Sequence, residues 1–179
     1  MNLHKLLAQR AADNKPLRVL LIGAGKFGSM FLSQVRRTPG LHLVAIADLS
    51  PQRAQESLAR VGWPGEQYAA ASLNDARKHG TTFITDDAPA AIAGDAIEIV
   101  IDATGSPAAG IRHALACCKY GKHIVMVNVE ADALAGPLLA RRAREAGIVY
   151  TLAYGDQPAL FCEMVEWARA AGFEVIAAC

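Results

Sequence analysis

The sequence has few aromatic residues, almost no net charge and no long apolar run. Aromatic side chains make up 6% of the 179 residues, and 18 basic against 17 acidic residues give a net charge of +1. A balanced charge produces no field that would attract nucleic acid or an anionic membrane. A membrane-spanning helix needs about 20 consecutive apolar residues, and no run approaches that length. We therefore expect neither a nucleic-acid partner nor a membrane partner.

Cysteine is also scarce and shows no pattern. The four cysteines include the adjacent Cys117 and Cys118, which would diverge by about 100° on a helix and so could not hold one ion together. All four are expected to be buried structural thiols in a reducing compartment, with no disulfide and no metal site. Residues 1–16 lack the apolar segment and cleavage site of a signal peptide, and their leucines lie at helical spacing. The sequence thus predicts a cytoplasmic protein with an N-terminal helical extension over 1–16.

Short apolar runs separated by helical patterns account for most of the chain. Each run lacks polar residues on both faces, which is typical of strands in a parallel sheet covered by helices on both sides. The expected strands are residues 18–22, 41–48, 81–85, 97–104, 123–129, 148–154 and 173–179. This alternation predicts one doubly wound α/β (Rossmann) domain over residues 17–179, with a mostly parallel sheet and helices on both faces.

A glycine motif, G-x-G-x-x-G, follows the first strand and opens a helix. In such a strand–turn–helix context Gly23 permits the tight turn, Gly25 lets the backbone approach a pyrophosphate, and Gly28 lets helix and strand pack closely. Lys26 and Phe27 belong to the same candidate loop. The pyrophosphate would lie at the helix N-terminus, where free N–H groups favour an anion. The alternative is a tight turn that binds nothing.

An acidic residue, Asp48, ends the second strand 20 residues after Gly28. A carboxylate at this place usually accepts the hydroxyls of the adenosine ribose, which favours NAD over NADP. Ser50 and Arg53 follow on the next turn, where a hydroxyl and a guanidinium could bind a 2′-phosphate. In that case Asp48 would turn toward solvent or the 3′-hydroxyl. Equally, Ser50 could be only a helix cap and Arg53 only a solvated side chain.

Two further strand ends carry polar residues toward the same edge of the sheet. Ligands of open α/β sheets bind outside the carboxyl ends of the strands. Thr104 and Gly105 should therefore lie beside the second half of a dinucleotide, with Asn128 and Glu130 near its nicotinamide. In the alternative interpretation, Asn128 satisfies loop backbone, while Ser106 and Asp132 cap the helices that follow. The five histidines are scattered and form no catalytic arrangement, so the catalytic residues remain unknown.

Three segments, VLLIGAGKFGSMF, IVIDATGSP and GKHIVMVNVEAD, carry a family resemblance. Together they resemble the N-terminal nucleotide-binding domain of homoserine dehydrogenase-like oxidoreductases. The resemblance is greatest to the bacterial branch in which a catalytic domain and a SAF domain follow, the deoxyxylulose-phosphate reductoisomerase-like proteins. It implies an NAD(P)-dependent oxidoreductase that acts on a small-molecule substrate, such as a polyol, an aldehyde or a sugar phosphate. It also favours NADP slightly over NAD and leaves a homo-oligomer open.

One departure from the related families concerns the end of the fifth strand. Val129 follows Asn128, and Asn128 falls where a related oxidoreductase type has a lysine, so neither family's lysine is present. In the families that the chain resembles, the catalytic domain begins about where residues 173–179 lie. The resemblance therefore implies a catalytic domain beyond Cys179 and a 179-residue chain that is inactive alone. The alternative from another class is a non-catalytic module that senses a nucleotide and regulates a partner.

Overall fold

The computed structural model describes residues 2–154 and 157–177, and these residues form a six-stranded parallel sheet. The strands are β1 (Leu17–Ile22), β2 (Leu41–Ala47), β3 (Phe83–Thr85), β4 (Ile99–Asp102), β5 (His123–Met126) and β6 (Tyr150–Leu152). Their order across the sheet is β3-β2-β1-β4-β5-β6. The order in which the chain adds strands therefore reverses between β1 and β4, which leaves a crevice at the carboxyl ends of these strands. The expected doubly wound α/β fold is confirmed.

The helices begin where the sequence places capping residues. They are α1 (Leu3–Ala12), α2 (Lys26–Val35), α3 (Pro51–Arg60), α4 (Leu73–His79), α5 (Ala88–Ala93), α6 (Pro107–Tyr120), α7 (Val129–Glu145) and α8 (Gln157–Ala170). Ser50, Ser72 and Asp87 each accept a hydrogen bond from the backbone N–H three residues further on. Gly121 ends α6 with a φ of +65°, a conformation that favours glycine.

The central strand β1 is buried on both faces. Leu20 and Ile22 face an apolar cluster that includes side chains of α6 and α7, whereas Val19 and Leu21 face a second cluster that includes side chains of α2 and α3. Successive side chains of a strand point to opposite faces, so this double burial requires an apolar residue at every position. The packing on both faces fixes the end of β1, and with it the glycine motif that follows.

Two expectations about the strands are wrong. Residues 173–177 form no strand, and the last two residues, 178 and 179, lie outside the described part. The side chains of Phe173 and Ile176 are exposed, because an apolar run forms a strand only where a neighbouring strand pairs with its backbone. The strand expected over 123–129 ends at Met126, because Asn128 caps α7. Asp132 therefore does not cap this helix.

The thiols and the N-terminal segment agree with the sequence in part. Cys117 is buried, but Cys162 is exposed on α8, so the expected burial of that thiol is wrong. Cys179 lies outside the described residues. The predicted N-terminal helix is present as α1, although Leu3 and Leu6 are exposed on it.

Among the described residues, no helix has the length and apolar character to cross a membrane, and no His, Cys, Asp and Glu side chains cluster as metal ligands.

Candidate functional site

The three motif glycines occupy structurally different positions. Gly23 has a φ of +96°, and a Cβ there would lie 2.7 Å from the carbonyl oxygen of Ala103 on the neighbouring strand end. A Cβ on Gly28 would lie 2.5 Å from the carbonyl oxygen of Gly23. The fold itself therefore requires these two glycines. Around Gly25 no atom lies within 4 Å of the Cβ position, so packing does not require glycine there.

Gly25 is the N-cap of α2 and leaves the start of this helix open. It has no side chain to accept a hydrogen bond from the first turn. The first N–H groups of a helix have no partner within the helix, and together with the helix dipole they favour an anion. No acidic residue lies in the first turn of α2. The motif thus presents an anion-binding backbone to the space beside Gly25.

That space is a cavity of about 480 Å³ at the carboxyl ends of β1, β2 and β4. The backbones of Gly23 and Gly25 form part of its wall. Residues that follow β2 and residues of α3, α5 and α6 also line it; they include Asp48, Leu49, Arg53, Pro89, Arg112 and His113. The cavity lies at the crossover between β1 and β4, where open α/β sheets bind their ligands.

The carboxylate of Asp48 is held by N–H groups on three sides. Its Oδ2 accepts a hydrogen bond from the Ala24 backbone at 2.8 Å, and its Oδ1 accepts one from the Ser50 backbone at 2.9 Å. Arg53 donates to Oδ1 from Nε at 3.2 Å and from Nη2 at 2.6 Å. Burial raises the pKa of Asp48, but the hydrogen bonds from Ala24, Arg53 and Ser50 outweigh it and hold the pKa below its ordinary 3.8. Asp48 is therefore ionised at neutral pH.

The two charges of this ion pair differ in exposure. The Asp48 side chain is 2% exposed and the Arg53 side chain 57%. The carboxylate does not face solvent in this structure, because its N–H partners hold it against the glycine loop. Of these two charges, the one presented at the cavity is the cation of Arg53.

A second buried carboxylate, Asp102, joins the end of β4 to α6 and α7. Its Oδ2 lies 2.6 Å from Nδ1 of His113, and its Oδ1 accepts hydrogen bonds from the Thr104 backbone at 3.1 Å and the Thr104 hydroxyl at 2.8 Å. Asn128 lies behind this turn, with Nδ2 3.3 Å from the same Oδ1. Burial raises the pKa of Asp102, but His113 and Thr104 outweigh it, so the pKa lies below the ordinary 3.8.

The side chain of Asn128 is engaged in hydrogen bonds with other residues of the chain. Its Nδ2 donates to the Thr104 hydroxyl at 3.0 Å and to the Ser106 carbonyl at 2.8 Å, while its Oδ1 caps α7 by accepting from Ala131 N at 3.1 Å. The side chain is buried, with 1% of the residue exposed. These contacts match the alternative in which Asn128 satisfies loop backbone. The Ser106 side chain makes no capping hydrogen bond.

More than half of the chain matches a known protein family. Residues 17–127 match the GFO/IDH/MocA family, described as an oxidoreductase family with an NAD-binding Rossmann fold. The chain belongs to this family. The match extends from β1 past the end of β5 and so includes the glycine loop, Asp48 and Asp102. The residues that line the cavity all lie within the part of the chain that matches this NAD-binding domain.

The chain is similar to longer proteins. It is 28% identical over 134 residues to the 4-carboxy-2-hydroxymuconate-6-semialdehyde dehydrogenase of Sphingobium sp., with 74% of this chain and 36% of that protein covered. An NAD-binding oxidoreductase from Klebsiella pneumoniae has a similar fold, with a TM-score of 0.58, 20% identity, and 88% of this chain and 39% of that chain covered. A homoserine dehydrogenase from Thiobacillus denitrificans gives a TM-score of 0.61 and 20% identity, covering 77% of this chain and 29% of that chain.

In each of these proteins, the GFO/IDH/MocA domain described here corresponds to less than half of the length. Two further solved structures of similar fold hold NADP+ and NAD, respectively, so the fold accommodates either dinucleotide. The shared fold therefore leaves the choice between NAD and NADP to residues of this chain.

The structure brings together some of the residues proposed from the sequence and separates others. Gly23, Gly25, Asp48, Arg53 and Thr104 line the GFO/IDH/MocA crevice. The remaining candidates do not line it: Lys26 and Glu130 are exposed on α2 and α7, Phe27 is half-buried, Gly28 lies beneath the loop, Ser50 caps α3, Gly105 lies on the turn after β4, and Asn128 lies behind Thr104.

Sequence reasoning missed Asp102 and His113. The signal was a lone acidic residue at the end of an apolar strand, IVID, followed by a histidine inside the next helix. Neither residue belongs to a spacing motif, because the pairing depends on how α6 folds back on β4. His113 lines the crevice and its Nδ1 contacts Asp102, so both are added to the candidate site.

Proposed function

We propose that this chain is the dinucleotide-binding half of an NAD(P)-dependent oxidoreductase whose catalytic domain lies beyond Cys179. The observation that carries the proposal is the environment of Gly25. Packing explains the other two motif glycines, whereas the space around Gly25 is open and adjoins the start of α2 and the crevice. A pyrophosphate at this position explains why the residue carries no side chain.

The residues of this chain would bind and orient the cofactor. The first N–H groups of α2 would hold the pyrophosphate, and the apolar wall that includes Leu49 and Pro89 would cover the adenine. Thr104, fixed by Asp102 and Asn128, would direct the other half of the dinucleotide toward β5. When bound, the nicotinamide supplies the hydride chemistry, and the protein determines where its reactive carbon lies.

The exposure of the Asp48–Arg53 pair supports NADP as the preferred dinucleotide. A carboxylate that faces the crevice would repel a 2′-phosphate, but Asp48 is covered by N–H groups. Arg53 holds Asp48 through Nε and Nη2, so Nη1 remains available for a phosphate. In this arrangement Asp48 positions Arg53 and the glycine loop.

For the whole protein, we propose a homoserine dehydrogenase-like enzyme of the SAF-domain, reductoisomerase-like branch. Its substrate would be a small polyol, an aldehyde or a sugar phosphate. The name of the Sphingobium relative specifies a semialdehyde, which belongs to the same range of carbonyl chemistry. Because Asn128 is engaged in structural hydrogen bonds, the proton-transferring groups are expected outside this chain. The chain alone should therefore bind cofactor without turnover.

The test is Gly25→Val, measured by isothermal titration with NADPH and with NADH. A branched side chain at this position would occupy the pyrophosphate site, so binding of both nucleotides should be lost while the circular dichroism spectrum is unchanged. Gly65→Val is a matched control, because Gly65 also has no atom within 4 Å of its Cβ position but lies away from the crevice. Unchanged affinity in Gly25→Val would contradict the proposal.

A further inference from the structure

The hydrogen bond between Asp102 and His113 determines which nitrogen of the imidazole carries a proton. The pKa of Asp102 is lowered, so the carboxyl group is ionised and can only accept. With 2.6 Å between Oδ2 and Nδ1, the proton of the ring lies on Nδ1. In neutral imidazole, Nε2 is then an acceptor. Among the described residues, Nε2 of His113 has no hydrogen-bond partner.

His113 lines the crevice together with apolar residues of the two neighbouring helices. Ala88 and Pro89 at the start of α5 and Ala109 on α6 belong to the same lining, as do the charged Asp86 and Arg112. The His113 side chain is 12% exposed, and its Nδ1 edge faces the buried Asp102. A flat base that packs against these apolar groups could meet the acceptor Nε2 with its polar edge.

We propose that Nε2 of His113 accepts a hydrogen bond from the 6-amino group of adenine, so that the crevice selects adenine over a base with an oxygen at position 6. The proposal rests on the proposed dinucleotide-binding function. Asp102 is the positioning residue, because it fixes the tautomer of His113. A base with an oxygen at position 6 would place an acceptor against an acceptor, and both atoms would lose their partner on binding.

The two oxygens of Asp102 have different partners, so the tautomer can be reversed by one substitution. Oδ1 accepts from the Thr104 backbone N–H, which only an oxygen can satisfy. In Asp102→Asn the amide oxygen would therefore take the Oδ1 position, and the NH2 group would face Nδ1 of His113. Nδ1 would then accept, and Nε2 would carry the proton. This variant should prefer an oxygen at position 6.

The probes are NADPH and reduced nicotinamide hypoxanthine dinucleotide phosphate. They differ at position 6, which carries an amino group or an oxygen, and at N1, which carries a proton only in hypoxanthine. Binding is measured by fluorescence titration at pH 8.5. The unmodified chain should bind NADPH at least tenfold more tightly than the hypoxanthine analogue, which corresponds to about 1.4 kcal/mol. His113→Asn keeps a donor near the Nδ1 position and removes the acceptor at the Nε2 position, so the preference for adenine over hypoxanthine should fall to about twofold or less.

His79→Asn is the matched control, since His79 also pairs through Nδ1 with an aspartate, Asp75, but lies on α4 away from the crevice. It should retain the full preference. Equal binding of the two probes by the unmodified chain, or an unchanged preference in His113→Asn, would overturn the inference while leaving dinucleotide binding intact. If the unmodified chain binds neither probe, the proposed function and the inference both fail. Reversal of the preference in Asp102→Asn would support the tautomer argument independently.

Discussion

Replacing Gly28 by valine should destabilise the fold far more than the same change at Gly25. A Cβ at Gly28 would lie 2.5 Å from the Gly23 carbonyl oxygen, a rigid backbone atom, so α2 would have to move away from β1. Overpacking of a well-packed site costs about 1–3 kcal/mol, and three added carbons against backbone place this site near 3 kcal/mol. For a chain of this length, that corresponds to a fall in Tm of about 6–12 °C.

Gly25→Val is the matched comparison in thermal unfolding without nucleotide, followed by circular dichroism. Gly25 has a φ of −73°, which any residue adopts, and no atom lies within 4 Å of its Cβ position. The cost should remain below about 1 kcal/mol, or less than about 4 °C. If Gly28→Val melts with the unmodified chain, or if both variants fall equally, the different roles assigned to the two glycines are wrong.

Three further predictions concern cofactor binding, the two buried carboxylates and the location of the catalytic residues. Arg53→Ala should weaken NADPH binding more than tenfold and leave NADH nearly unchanged in calorimetric titrations; equal losses would refute the proposed 2′-phosphate contact. Acid should destabilise the domain below about pH 4, because the pKa values of Asp48 and Asp102 in the folded chain lie below the ordinary 3.8. The stability that the two carboxylates contribute is complete above that value. It is lost as the pH falls through the lowered pKa values. In chemical denaturation, Asp48→Asn should show a weaker loss between pH 5 and pH 3 than the unmodified chain. Purified chain with NADPH or NADH should reduce no aldehyde in an absorbance assay at 340 nm, and robust turnover would contradict a catalytic domain outside this chain.

The sequence predicts local features of the fold well because each depends on few residues. The strand before Gly23, the helix capped by Ser50 and the helix stopped at Gly121 all follow from short patterns with a direct physical cause. Residues 173–177 are the counter-example. Their composition suits a strand, but strand formation depends on a partner that composition does not reveal.

The candidate site is only partly predictable for the same reason. Asp48 and Arg53 are five residues apart, so their proximity could be anticipated, but the direction of the carboxylate depends on Ala24, which is distant in sequence. Asp102 and His113 come together only because α6 packs back onto β4. Long-range hydrogen bonds of this kind leave no periodic signal in the sequence.

The central claim is that the glycine loop and the adjoining crevice bind a nicotinamide dinucleotide, and amide NMR of the labelled chain during NADPH titration tests it most directly. Saturable shifts should appear at the amides of Ala24, Lys26 and Phe27, and after β4 at Thr104. The amides of Arg18 and His42, at the opposite ends of β1 and β2, should not move. Absence of shifts at millimolar NADPH, or saturable shifts centred on Arg18 and His42 instead of the glycine loop, would contradict the account.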